Sequence, residues 1–441
     1  MSTALLTDQY EITMVRAALL AGTANRKSVF ELFARRLPSG RRYGVVAGVG
    51  RALEAIADFR FTDAELSFLE ERQIVDGPTA DYLANYRFTG SMWGYGEGEL
   101  YFPGSPLLVV EGTFAEAVLL ETVLLSIYNY DSAVASAASR MTMMAEDRPC
   151  IEMGSRRITE YGAVAAARAA YIAGFASTSN LEAGRRYGVP TSGTAAHSFS
   201  LLHDTEEEAF RAQIAALGEN TTLLVDTYDI AAAVRTGVRL TEGKLGAVRI
   251  DSGDLTVTAR EVRALLDDLG ATETRIIVTS DLDEWQLAAL AGAPVNGYGV
   301  GTSLVTGSGA PTCSMVYKLV ARATGSEGTL APVAKMSTSK TTIGGRKHAV
   351  RRLDVKDIAE AELVGINLPP VADYNDRPLL RQLVDHGEIV GSESLSAARA
   401  RHEAARGELP RDGYKMSRGE PAIPTYFLDD EGKILPASYG S

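Results

Sequence analysis

Cysteine is nearly absent. The 441 residues hold two, Cys150 and Cys313, which excludes a disulfide scaffold and a cysteine-only zinc site. Both lie among apolar neighbours, so buried free thiols are expected. Histidine is scarce too, with five in all, and no cluster of them suggests a metal. No run of 18 apolar residues occurs, since the best candidates are broken by Glu121 or Arg168; no transmembrane helix is expected. The opening residues M-S-T-A-L-L-T-D-Q-Y-E lack a basic stretch and reach Asp8 and Glu11 early. That predicts no signal peptide and a cytoplasmic protein. Positive charge is in deficit, 44 Lys and Arg against 56 Asp and Glu, which argues against nucleic-acid binding. A G-x-S-x-G elbow with a second catalytic histidine is missing, as is a Walker A loop. What is there is ordinary for a large globular enzyme: 46% hydrophobic and 23% charged residues, enough for two or three domains.

Residues 4–22 place Leu6, Tyr10, Met14 and Ala17 on one helical face. A strand is predicted over 29–34. Arg35, Arg36, Arg41 and Arg42 follow around P-S-G, either as a solvated loop or as an anion site. Two short helices are expected within 63–86, and a glycine-rich turn over 94–101 leads into a strand at 107–110. This part has no repeat and reads as an N-terminal α/β domain, 1–114. A long helix over 115–145 opens the next region. Seven short apolar strands then alternate with helices, at 150–154, 174–177, 189–193, 222–225, 247–250, 275–278 and 297–300. Such regular alternation marks βα units on a parallel sheet. The expected fold is therefore α/β, with an irregular (βα) barrel of about seven units over 115–330. Residues 331–441, with a hairpin around 341–352 and a helix at 394–406, are expected to pack back on the N-terminal domain.

In a parallel barrel the chemistry lies at the carboxyl ends of the strands. Those ends carry Arg156, 177–180 including Ser179, His197 after G-T-A-A, Asp226, 251–254, Ser280 with Asp281, and 299–302. Each residue has a plain alternative. His197 reads alone as a satisfied core histidine. Asp226 and Asp251 suit helix N-caps, and Arg156 suits a pair with Glu152 or Glu160. Their convergence on one rim favours a site. Gly299, Gly301 and Thr302 form a turn that suits phosphate, beside Ser252 and Gly253. Lys318, Lys335 and Lys340 can supply countercharge. Asp226 and Asp251 can hold Mg²⁺ through water. Arg249 stands two residues before Asp251, so both point to one side of the strand.

The motifs L-L-T-D-Q-Y-E, F-A-R-R-L-P-S-G, G-T-A-A-H-S, V-D-T-Y-D, V-R-I-D-S-G-D-L, G-V-G-T-S and G-R-K-H-A-V-R-R occur in that order. Together they closely resemble the nicotinate phosphoribosyltransferases. The resemblance implies a type II phosphoribosyltransferase fold, an irregular α/β barrel plus a domain built from both chain ends. It implies a homodimer with shared active sites, acting in the cytoplasm on nicotinate, 5-phosphoribosyl 1-diphosphate and ATP. Nicotinate mononucleotide and diphosphate are the implied products, with Mg²⁺ as cofactor. His197 falls on the family's phosphorylated histidine, and Tyr10 on an aromatic that stacks on the pyridine from the neighbouring subunit. Thr194 and Arg249 fall on nicotinate contacts, with Arg156 and Ser179 beside them. Thr302 falls on a phosphoribosyl diphosphate contact, with Ser252, Gly253, Gly299 and Gly301. Asp226 and Asp251 fall on acidic residues near ribose and metal.

Two departures stand out. Nicotinamide-using relatives carry an aspartate where Ser179 stands, and its absence favours the acid substrate. Met153 occupies the place of a second stacking aromatic. The pyridine nitrogen needs no deprotonation, so the chemistry rests on stabilising a cationic ribosyl transition state and the leaving diphosphate. Three other readings remain at this stage: a sugar-phosphate lyase or isomerase using His197 as acid–base, a nicotinamide-using transferase, and a non-catalytic nucleotide-binding regulator.

Overall fold

The structure, a computed structural model, describes residues 2–324, 328–335, 342–373 and 375–435. It divides into two compact units, one made of Met1–Ser136 with Ala310–Ser441, the other of Ala137–Gly309. These divisions fall at 137 and 310, where the sequence reading placed boundaries at 115 and 331. The first lies inside the unbroken helix Glu121–Ala145, which has no glycine or proline to mark it.

The first unit is built on a seven-stranded sheet. Its order is Leu330–Pro332, Met315–Ala323, Lys27–Ala34, Pro106–Thr113, Ser91–Tyr95, Leu380–Asp385 and Glu388–Ile389, and every pairing is antiparallel. Three strands from the N-terminal part thus sit between two pairs of strands from the C-terminal part of the chain. Phe30 and Tyr317 stack at 5.0 Å within its core. Residues 94–101, expected as a turn, contribute to two strands, Ser91–Tyr95 and Leu100–Tyr101. Glycine fits there because a Cβ on Gly94 would meet the Leu107 carbonyl at 2.9 Å. A second sheet of four strands includes Lys347–Leu353 and Ala359–Ile366.

Helix starts follow local chemistry. Thr62 with Glu65 and Thr113 with Glu116 form capping boxes. The predicted long helix is two helices, Phe114–Val118 and Glu121–Ala145. The first predicted helix is confined to Gln9–Leu20, because Asp8 is extended. The helix Leu395–Gly407 begins where Ser394 accepts the Ala397 N–H at 3.2 Å. Two buried cations are paired in this unit: Arg351 meets Glu362 at 2.7 Å and Lys347 meets Glu31 at 2.8 Å. From the basic turn, Arg42 donates to the carbonyls of Ser417, Arg418 and Glu420.

The second unit carries the repeated part. Six strands form a parallel sheet in the order Ser177–Thr178, Cys150–Glu152, Gly297–Val300, Arg275–Val278, Ala247–Ile250, Thr222–Leu224. The seventh expected strand, 189–193, is exposed from Pro190 onward and makes a single parallel bridge, Thr191 to Thr178. Among the described residues no pairing joins it to Thr222–Leu224, so this is an open parallel sheet of half-barrel form. Its interior is tight. A Cβ on Gly299 would lie 2.4 Å from Thr279 Cγ2 and 2.7 Å from Met153 Sδ. Both cysteines are free and buried. Among the described residues no helix is long and apolar enough to cross a membrane.

Candidate active site

Because the strands of the second unit are parallel, their carboxyl ends share one rim. The segment after the bridge at Thr191 carries Thr194, exposed, and then His197 at the start of the short helix His197–Leu202. The histidine is not a core residue, since its side chain is 41% exposed. Its Nδ1 lies 3.1 Å from Thr227 Oγ1. Its Nε2 lies 3.8 Å from Asp226 Oδ1 and 3.9 Å from Asp251 Oδ2. The imidazole is thus oriented by a hydroxyl on one side and flanked by two carboxylates on the other.

Neither aspartate is a helix cap. The caps are the acids three residues further on: Asp229 accepts the Ala232 N–H at 2.7 Å, and Asp254 those of Thr256 and Val257 at 3.1 Å. Asp226 instead accepts the Asp251 N–H at 2.8 Å and the Ser252 hydroxyl at 2.7 Å, both at Oδ2. Its side chain is 2% exposed, and Oδ1 is buried with no hydrogen-bond partner among the described residues. A buried carboxylate oxygen without a donor is costly, and it faces the histidine. Asp251 accepts the Thr279 hydroxyl at 2.5 Å through Oδ1, which leaves Oδ2 toward His197.

Arg249 stands on strand Ala247–Ile250, two residues before Asp251. It donates from Nη2 to the Ala195 carbonyl at 3.1 Å, while Nε is buried and unpartnered among the described residues. Burial pulls its pKa down, the carboxylates of Asp251 and Asp226 oppose that, and Arg156 adds repulsion. Two guanidinium groups within electrostatic reach of each other mark a place for an anion. Arg156 does not pair with Glu152, whose carboxylate accepts from Thr178 and Gly154.

The remaining rim candidates are distributed as follows. Ser179 is exposed, its N–H held by the Glu152 carbonyl at 2.8 Å. Ser252 and Gly253 form the turn after Ile250, and Gly253 has φ +84°. Gly301 and the exposed Thr302 follow strand Gly297–Val300. Gly299 is buried beneath Thr279 and Met153. Ser280 holds φ +121°, a strained conformation for a serine. It borders a cleft of about 440 Å³ lined by Gly253, Asp254, Asp281 and Gln286 among others. Tyr10 belongs to the first unit, on helix Gln9–Leu20, with its ring 45% exposed. Burial and the acids Glu121, Glu11 and Asp8 push its phenol up to about 12, so it stays neutral. Lys318 also lies in the first unit, 3.7 Å from Glu121. Lys335 is exposed, and Lys340 lies outside the described residues.

Sequence reasoning singled out neither Thr227 nor Thr279, gave Glu152 only as a partner for Arg156, and held Thr178 only within the stretch 177–180. Thr227 had a signal in retrospect, as the hydroxyl next to Asp226 in V-D-T-Y-D.

A carboxylate-flanked histidine and a guanidinium with an unpartnered Nε, on the carboxyl rim of a parallel sheet, make a candidate site for anionic ligands on an α/β fold. Residues 5–129 match the family model of the nicotinate phosphoribosyltransferase (NAPRTase) N-terminal domain. Nicotinate phosphoribosyltransferase pncB1 of Mycobacterium tuberculosis is 57% identical over 430 residues, 96% of this chain and 94% of its own length. The Bacillus subtilis nicotinate phosphoribosyltransferase is 38% identical, over 79% of this chain and 73% of its own. The crystal structure of human nicotinic acid phosphoribosyltransferase superposes with a TM-score of 0.82 at 26% identity, covering 97% of this chain and 98% of that one. The chain belongs to the nicotinate phosphoribosyltransferase family.

Proposed function

We propose that the protein joins nicotinate to 5-phosphoribosyl 1-diphosphate, giving nicotinate mononucleotide and diphosphate, with ATP hydrolysed to ADP and phosphate. The pyridine nitrogen forms the new bond to ribose C1, and the bond from C1 to diphosphate breaks. The observation that carries this reading is the half-buried Arg249, whose Nε lacks a partner, on the rim that also holds the carboxylate-flanked His197. A nicotinate carboxylate satisfies that guanidinium, with Arg156 and Thr194 beside it. Ser179 puts no acid against that carboxylate, which favours nicotinate over nicotinamide. Thr302, Gly301, Gly253 and Ser252 are assigned to the phosphoribosyl diphosphate, and Gly299 gives that turn its close packing.

His197 is assigned to carry the phosphoryl group taken from ATP. Thr227 holds its Nδ1 side, which fixes the ring orientation. The unpartnered Asp226 Oδ1 and the free side of Asp251 fit Mg²⁺ bound through water. Among the described residues no group of three or more acids, histidines or cysteines makes a closed metal cage. When bound, Mg²⁺ would neutralise the diphosphate. Asp226 and Asp251 also stabilise positive charge that develops on the ribose. We further assign Tyr10 to a neighbouring subunit's site in a homodimer; an active monomer in sedimentation would sink that assignment.

The test is mass spectrometry of the product from nicotinate, phosphoribosyl diphosphate and ATP, with γ-labelled ATP in parallel. Nicotinate mononucleotide is expected, together with acid-labile protein label that disappears in His197→Asn. No pyridine nucleotide, or equal turnover of nicotinamide, would refute the reading.

A further inference from the structure

Glu152 is fully buried at the end of strand Cys150–Glu152. Its Oε2 accepts the Thr178 hydroxyl at 2.5 Å, its Oε1 accepts the Gly154 N–H, and its carbonyl accepts the Ser179 N–H at 2.8 Å. Burial raises its carboxyl above the usual range, the bonds from Thr178 and Gly154 oppose this, and no cation contributes.

Thr178 is where the segment leading to His197 is tied to the sheet. Its N–H donates to the Pro190 carbonyl and its own carbonyl accepts the Ser192 N–H, both at 2.9 Å. The same residue bridges Thr191, and its hydroxyl oxygen accepts the Asn180 N–H at 2.9 Å. The Asn180 amide then reaches Ser155 Oγ at 3.0 Å. One buried carboxyl–hydroxyl contact therefore joins three rim segments: the turn with Met153 and Arg156, the turn with Ser179, and the segment with Thr194 and His197.

We propose that Glu152 and Thr178 are a positioning pair for the pyridine acid, holding the Arg156 turn in register with the Thr194 segment and so setting affinity for nicotinate. This rests on the reading of the rim as a nicotinate site. The pair touches no reacting atom and acts through the loops it aligns. A purely structural contact predicts lost stability alone. The positioning role predicts a KM effect confined to one substrate.

Thr178→Val removes the hydroxyl and keeps the shape. It is expected to raise KM for nicotinate about tenfold, the scale of one lost buried hydrogen bond. kcat and KM for phosphoribosyl diphosphate should stay within about threefold. Thr178→Ser restores the hydroxyl and should stay within about threefold of the parent throughout. Glu152→Gln replaces two accepting oxygens by one, which sets its amide NH2 against the Gly154 N–H or the Thr178 hydroxyl, so it should raise KM for nicotinate in the same sense as Thr178→Val. Amide hydrogen exchange over 190–197 should quicken in Thr178→Val and return in Thr178→Ser. If Thr178→Val does not fold, Thr178→Ala gives the same two readings. Unchanged nicotinate KM, equal loss toward both substrates, or unaltered exchange over 190–197 would overturn the inference. Exchange needs no substrate, so it still tests the tether if the parent proves inactive on nicotinate. That inactivity would instead remove the functional reading, and the nicotinate half of the inference with it.

Discussion

The first unit and the rim of the second treat buried charge in opposite ways; away from the rim, the second unit also pairs its charges, as Arg140 with Glu284 at 3.4 Å. In the first, charge is neutralised within the fold: Arg351 lies 2.7 Å from Glu362, Lys347 lies 2.8 Å from Glu31, and Arg377 bridges Glu99 and Glu408 at 2.6 and 2.7 Å. Arg351 does leave Nε and Nη1 without hydrogen bonds, yet its charge is matched on the spot, with Glu408 at 3.7 Å from Nη1. In the second unit, the rim leaves Asp226 Oδ1 and Arg249 Nε unpartnered, and His197 stands 3.8–3.9 Å from two carboxylates, beyond hydrogen-bond range. The completed pairs serve the first unit's architecture. The unpartnered rim atoms suit the site proposed above, which would take its missing partners from the substrates.

That contrast can be broken by experiment. Arg351→Met should give the largest effect, a loss of roughly 3–5 kcal/mol in stability, because Glu362 is left buried without its cation; denaturant unfolding would show it. In the variant the KM for nicotinate should be unchanged, and a selective KM effect would erase the distinction between the units.

Glu11 is an exception in the first unit. It is buried and accepts from Thr122 and Thr7, with no cation paired to it, and burial pushes its carboxyl up to about 7. An acid with a raised folded-state pKa holds its proton more tightly when folded. Its contribution is intact below the ordinary value of 4.5 and is lost as pH climbs through about 7. Glu11→Gln should remove roughly 3 kcal/mol of that pH dependence, the equivalent of the shift. Identical stability–pH curves for parent and variant would show that Glu11 titrates normally.

Arg249→Gln sharpens the other side. It should weaken nicotinate binding by about 10- to 100-fold, as expected for a charge-assisted bond. The melting temperature should stay within about 2 °C, since no internal ion pair is lost. A large fall in melting temperature would place Arg249 with Arg351 as architecture.

Much of the second unit was legible because its strands are short, apolar and buried, and read as continuous runs. The segment 189–193 reads like the others, yet it is polar at Thr191 and Ser192 and joins the sheet at one bridge only. Sequence could not separate Asp226 from Asp229 or Asp251 from Asp254, since all four suit a helix start; which acid caps is settled by backbone geometry. Thr279 stayed hidden because the acid it bonds, Asp251, lies on the preceding βα unit, with no fixed spacing to mark the pair. In the first unit, strands 94–101 were masked by glycines that serve close packing. The extent of the long antiparallel sheet also went unread, because its neighbours come from opposite ends of the chain.

That last arrangement bears on how the protein is made. Strand Lys27–Ala34 lies between Pro106–Thr113 and Met315–Ala323, so one edge of it has no partner until some 280 further residues have left the ribosome. Ser91–Tyr95 waits longer still, for Leu380–Asp385. The second unit is one uninterrupted stretch, Ala137–Gly309, and its parallel strands find their neighbours within it. During synthesis, therefore, the part that carries His197 can close while the first unit's sheet is still half-paired. The interval in which Lys27–Ala34 offers a bare edge is the period when the nascent chain is most exposed to mispairing.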